Sequence, residues 1–92
     1  MKPITKASNR CLHHLVEAQV EKTPNHIAVV YEEQQLTYRE LNRRANQLAH
    51  YLRSLGVGPG VLVGIYMERS LELAVAVLGA LKAAAVCVPL EP

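Results

Sequence analysis

The sequence contains no Phe, no Trp and no Asp, and only two Cys. Without the two largest apolar aromatics, a core has to be assembled from Leu, Val, Ile and the eleven Ala residues, which bury less area each. A domain of 92 residues buries roughly 60–65% of its unfolded surface, and ordering each residue costs on the order of 1.5 kcal/mol, so the core is expected to be thin. Because all eight acids are Glu, Asp-based metal loops and Asp-containing triads are excluded, although Glu retains the capacity to bind a cation. Cys11 and Cys87 stand alone at a spacing that fits neither a metal framework nor a disulfide scaffold. They are read as reduced thiols in a cytoplasmic setting. No basic cluster is longer than Arg43-Arg44 and the net charge is only +2, which leaves no electrostatic footprint for nucleic acid. The segment before Cys11 is polar and basic and is not followed by an apolar signal core, so no export signal is expected. Leu73 to Leu90 carries one charge in eighteen residues, close to the length of a membrane span. Lys82 in its middle and Pro89 near its end favour an all-round apolar helix followed by a buried strand, not a membrane segment.

The apolar residues that are present recur with clear periods. Leu12, Leu15, Val16 and Val20 fall on one stripe and predict a helix from Cys11 to about Glu21, after a flexible segment over residues 1–10 and before Pro24. Ile27 to Tyr31, a polar turn over Glu32 to Gln35, and Leu36-Thr37 predict a strand hairpin. Thr37-Tyr38-Arg39-Glu40 has capping-box spacing, so a helix is expected to begin at Tyr38 with Leu41, Ala45, Leu48, Leu52 and Leu55 on its core face. Gly56 supplies a left-handed stop, and Val57-Gly58-Pro59-Gly60 a tight loop. Val61 to Tyr66 reads as a strand covered on both faces, with parallel pairing. Ser70 caps a helix over Leu71 to Ala85, which is apolar nearly all round, and Val86-Cys87-Val88 forms a last strand. The order of helix, strand hairpin, helix, strand, helix, strand predicts an α/β layered fold whose sheet is only partial.

Candidate chemistry is sparse. Gly56, Gly58 and Gly60 follow a helix and precede a strand, the reverse of a phosphate cradle, and are read as turning the chain. Cys11, His13 and His14 have zinc-ligand chemistry, but four ligands are completed only if Cys87, His26 or His50 folds back, so an inward Cys beside two solvent-facing His is favoured. Ser8, Ser54 and Ser70 lie in no nucleophile elbow and each has a turn or capping role. Glu32-Glu33 and Glu68-Glu72 are read as solvated charges. Arg39, Arg43, Arg44 and Arg53 are read as a helix face for solubility or partner contact. Lys82 is assigned to a helix end, where a cation complements the dipole by roughly 0.3–1 kcal/mol. No catalytic, cofactor-binding or metal-ligating residue is assigned in this chain.

Two stretches resemble core motifs of the amino-acid adenylation domains of nonribosomal peptide synthetases, within the adenylate-forming, AMP-binding enzymes. Leu36-Thr37-Tyr38-Arg39-Glu40-Leu41 is similar to the first motif. Leu81-Lys82-Ala83-Ala84-Ala85-Val86-Cys87-Val88-Pro89-Leu90-Glu91-Pro92 is similar to the second. Asn42 to Ala49, Gly56 to Gly60 and Met67 to Ser70 resemble the same family at its usual spacing, so the likeness runs over residues 11–92. The family usually carries Gly where Ala84 stands, an aromatic at Cys87, Asp at Glu91 and an acid at Val61. An Ala after a helix strains its stop, because Ala disfavours a left-handed backbone.

The resemblance implies the truncated N-terminal portion of an ATP-dependent ligase of secondary-metabolite biosynthesis, one that joins an amino acid to AMP and passes the acyl group to a carrier thiol. ATP and Mg2+ are implied for the complete parent enzyme and no cofactor for this chain. The partner implied is the remainder of the adenylation domain or synthetase, with self-association or aggregation possible through exposed apolar surface. The alternatives are a non-enzymatic α/β module docking onto a synthetase through Leu71 to Ala85, or a fragment of a related acyl-adenylate-forming ligase. A carrier domain is discounted, because the α/β alternation does not suit a helical bundle.

Overall fold

The structure is a computed structural model that describes residues 5–90. The elements follow in the expected order: α1 (Thr5–Lys22), β1 (Ile27–Tyr31), β2 (Gln34–Thr37), α2 (Tyr38–Ser54), β3 (Leu62–Tyr66), α3 (Leu71–Lys82) and β4 (Val86–Leu90). α1 starts at Thr5, ahead of the Cys11 start marked by the apolar stripe. Residues 1–4 of the expected N-terminal segment lie outside the described residues.

β1 and β2 form an antiparallel pair in which Val30 faces Gln35 and Tyr31 faces Gln34. The turn is therefore only Glu32 and Glu33, shorter than expected, with Glu32 in the left-handed region at φ 56°. Gln34 and Gln35 continue the ladder because their amide side chains stay in solvent while Leu36 enters the core.

The capping box at α2 is present in full. The Glu40 backbone N–H donates to Thr37 Oγ1 at 3.1 Å, and the Thr37 N–H donates to Glu40 Oε1 at 3.0 Å. That second bond is also the main reason the Glu40 carboxyl titrates below its ordinary range. Leu41, Ala45 and Ala49 are the buried residues of α2. Leu55, expected on the same stripe, is 62% exposed, because it sits at the C-cap beyond the last packed turn.

α3 occupies the middle of the fold. Its Leu71, Leu78, Gly79, Ala80 and Leu81 are buried, and the helix is not the free docking surface that the module reading requires. Close packing on α2 depends on Gly79, where a Cβ would lie 2.7 Å from Leu48 Cδ2. The main core gathers Leu36, Leu41, Ala45, Leu71 and Leu78, flanked by Val16, Val29 and Tyr31 among others.

β3 and β4 pair in parallel, joined through α3, with Leu62 beside Val86 and Tyr66 beside Leu90. The expectation of a strand covered on both faces fails here. Ile65 is buried, whereas Leu62 is 69% and Tyr66 66% exposed, because the described residues supply a layer on one face only.

Candidate functional site

Helices α2 and α3 end in the same hydrogen-bond pattern, and this fixes what the glycine-rich loop does. At α2 the Gly56 N–H donates to the Arg53 carbonyl and the Val57 N–H to the Leu52 carbonyl, each at 3.0 Å, with Gly56 at φ 93°. This is a Schellman stop. The loop through Gly60 therefore lies at the carboxyl end of α2, where the helix dipole is negative and the Gly56 and Val57 N–H groups are already spent on helix carbonyls. A phosphate cradle of the helix-end kind uses the opposite end, with its free N–H groups, so this loop does not form one.

At α3 the same pattern is built without glycine. The Ala84 N–H donates to the Leu81 carbonyl at 2.9 Å and the Ala85 N–H to the Ala80 carbonyl at 3.1 Å, while Ala84 sits at φ 66°. The position where an Ala was expected to strain the stop is indeed left-handed.

The remaining candidates are dispersed. His13 is half-buried and His14 exposed, with ring centroids 4.4 Å apart, and the side chain of Cys11 lies outside the described side chains. Cys87 is on β4, half-buried, with its thiol 3.7 Å from the Val77 carbonyl, and burial pushes its pKa up. His26 and His50 are exposed. Among the described residues, no three His, Cys, Asp or Glu gather as metal ligands. Ser8 falls outside the described side chains. Ser54 Oγ donates to the Tyr51 carbonyl at 2.6 Å, and Ser70 Oγ accepts from the Leu73 N–H at 3.2 Å as the α3 cap. Glu32, Glu33, Glu68 and Glu72 are exposed, as are Arg39, Arg43, Arg44 and Arg53.

One ionic group is an exception. Lys82, the last residue of α3, has a side chain only 5% exposed and donates from Nζ to Glu17 Oε2 on α1. Its backbone carbonyl accepts from Arg53 Nη1 on α2 at 3.1 Å. The hydrogen bond from Lys82 is the largest of the influences that hold the Glu17 carboxyl below its ordinary range. Lys82 thus ties three helix regions together at the carboxyl end of α3, where a cation is favourable. Local spacing gave no sign of Glu17, because the partners are 65 residues apart.

Comparison with known proteins agrees with the motifs. The AMP-binding enzyme family profile matches residues 16–92. The chain is 51% identical over 89 residues to gramicidin S synthase 2 of Brevibacillus brevis, covering 97% of this chain and 2% of that protein. It is 51% identical over 84 residues to bacitracin synthase 2 of Bacillus licheniformis, covering 91% of this chain and 3% of that protein. The Klebsiella oxytoca NpsA N-terminal subdomain superposes with TM-score 0.82 at 30% identity, over 87% of this chain and 21% of the other. The nonribosomal peptide synthetase FmoA3, solved in an α-methyl-L-serine-AMP bound form, superposes with TM-score 0.83 at 41% identity, over 87% of this chain and 9% of the other. In sequence and in fold, the chain belongs to the AMP-binding enzyme family, and it spans only 2–3% of the length of the two synthases named.

Proposed function

We propose that these residues form part of the structural base of an amino-acid adenylation domain and catalyse nothing by themselves. In its complete form such a domain joins an amino acid to AMP with release of pyrophosphate and passes the acyl group to a carrier thiol. The observation that carries the reading is the glycine loop at the carboxyl end of α2, inside a region that matches the AMP-binding family throughout. ATP and Mg2+ belong to the complete domain. Here the Gly56 and Val57 amides of the loop are spent on the carbonyls of α2, and the described residues bring together no cation-binding cluster.

On this reading no residue of the chain is catalytic, cofactor-binding or metal-ligating, and Lys82 and Ser70 hold helices in place. The partner is the rest of the adenylation domain. A cytoplasmic setting fits a half-buried free thiol at Cys87 and the lack, among the described residues, of a helix long and apolar enough to cross a membrane. The test is ATP–pyrophosphate exchange by the purified chain with a mixture of amino acids. Exchange equal to the enzyme-free blank is expected, and exchange above it would remove the proposal.

A further inference from the structure

Charge is unevenly spread over the molecule. α2 carries four Arg and one Glu, a larger positive excess than the +2 of the whole chain. The helix buries Leu41, Ala45 and Ala49, and its period places Arg39, Arg43, Asn46, Gln47 and His50 on the opposite side, all of them exposed. Tyr51, 59% exposed, borders this stripe. Helix stability does not account for the arrangement. Arg39 stands in the first turn, at the positive end of the helix dipole, where a cation is disfavoured. Arg39 and Arg43 are four residues apart, so their like charges repel, whereas a face kept soluble by charge is better served by Glu–Arg pairs at that spacing. Glu40 accepts the Thr37 N–H and stands four residues before Arg44, and Arg53 Nη1 donates to the Lys82 carbonyl. Among the described residues, the salt bridge formed is Lys82–Glu17, which leaves Arg39 and Arg43 without an ion-pair partner.

We infer that the outward stripe of α2 from Arg39 to His50 is a docking surface for an acidic protein segment whose carboxylates lie one helical turn apart. Residues four apart on a helix stand roughly 5–6 Å from each other, so Arg39 and Arg43 match carboxylates at the same spacing on a facing helix. Each guanidinium fork can engage a carboxylate through two parallel hydrogen bonds. Opposing carboxylates would relieve both the Arg39–Arg43 repulsion and the adverse dipole at Arg39, the two costs that the chain bears alone. Asn46 and Gln47 add amide donors and acceptors, and Tyr51 adds an apolar face with a hydroxyl at its tip. A nucleic acid is the poorer fit, because two unpaired Arg on one turn make a short track for a phosphate backbone and Tyr51 is the one exposed tyrosine of α2. The contact is a weak, salt-dependent encounter, since a single helix stripe is smaller than a permanent interface and exposed charge acts on association more than on residence. It holds whether or not the chain has catalytic activity.

The experiment titrates the whole chain with a capped helical peptide of Glu-Ala-Ala-Ala repeats and follows backbone amide shifts by NMR. Saturable binding is expected, with shifts confined to the outward side of α2 and affinity falling at least about five-fold between about 20 and about 200 mM NaCl. The matching Gln-Ala-Ala-Ala peptide should leave the spectrum unchanged. Arg39→Glu/Arg43→Glu should weaken binding at least about ten-fold, whereas Lys22→Glu/Arg69→Glu, of the same net charge but off the stripe, should stay within about two-fold of the unsubstituted chain. A circular-dichroism melt checks folding, and the stripe variant should melt no lower than the control, because a carboxylate suits the first turn. Arg39→Gln/Arg43→Gln reads the same loss without reversing charge. The inference is overturned if the two charge-matched variants lose affinity alike, if the shifts fall elsewhere, or if no binding is seen at low salt. It is equally overturned if an oligothymidylate of similar length binds the stripe more tightly than the Glu peptide, which would make the partner a nucleic acid.

Discussion

The β1–β2 hairpin buries Leu36 on one face and turns Gln34 and Gln35 to solvent, whereas β3–β4 is apolar on both faces and covered on one. An antiparallel pair with alternating polarity needs one neighbouring layer, which α2 and α3 supply. A parallel pair with two apolar faces needs two, and α3 is only one of them. One strand pair thus has the layer it needs, while the other leaves one apolar face uncovered among the described residues.

The comparison is sharpened most by truncating one leucine in each pair. Leu36→Ala should destabilise the chain by about 2–4 kcal/mol, since Leu36 is 4% exposed in the main core. Leu62→Ala, at a position 69% exposed, should change stability by less than about 0.5 kcal/mol. Urea unfolding of the two variants measures the difference, and equal losses would mean that the β3–β4 face is already covered.

Gly79→Ala tests whether α3 must lie close to α2 to serve both strand pairs. Its Cβ would meet Leu48 Cδ2 at 2.7 Å, so a loss of about 1–3 kcal/mol in thermal or urea unfolding is expected, despite the better helix propensity of Ala. Adding Leu48→Ala should recover part of the loss caused by the clash.

The Lys82–Glu17 pair holds α1 to the end of α3, and its contribution depends on pH. The folded pKa of Glu17 is lowered from an ordinary value of 4.5, so the pair's full contribution is present above about that pH. It is lost as the pH falls through the lower folded value. Glu17→Gln should cost about 1 kcal/mol at neutral pH, moderated by water because Glu17 is 44% exposed, and should flatten the acid limb of the stability profile. An acid limb identical in the two proteins would show that other carboxylates dominate.

Effects of similarly small size, but opposite in sign, are expected at the two helix stops. Ala84→Gly should stabilise by about 0.5–1 kcal/mol, because Ala84 holds a left-handed φ of 66°. Gly56→Ala should lose about 1 kcal/mol, since Gly56 holds φ 93° in the same stop. Differential scanning calorimetry of both variants reads this opposition directly.

Features set by neighbours in the chain were legible before the structure. Thr37 and Glu40 stand three apart and form the capping box, and Gly56 marks a stop that its own conformational freedom makes favourable. The family motifs likewise pointed to strain at Ala84. Features set by distant partners were not legible. Glu17 meets Lys82 across 65 residues, and no spacing rule reaches that far. The run from Val61 to Tyr66 is equally apolar whether one face or two are covered, so its pattern could not reveal the open side. Gln34 and Gln35 looked like turn residues because a solvent-facing strand and a turn draw on the same polar side chains.

Nucleotide binding by the isolated chain tests the central claim most directly. Isothermal titration of the purified protein with ATP and Mg2+ should give only the heat of dilution, because the glycine loop presents the carboxyl end of α2 and no cation cluster accompanies it among the described residues. A saturable one-to-one binding curve would contradict the account.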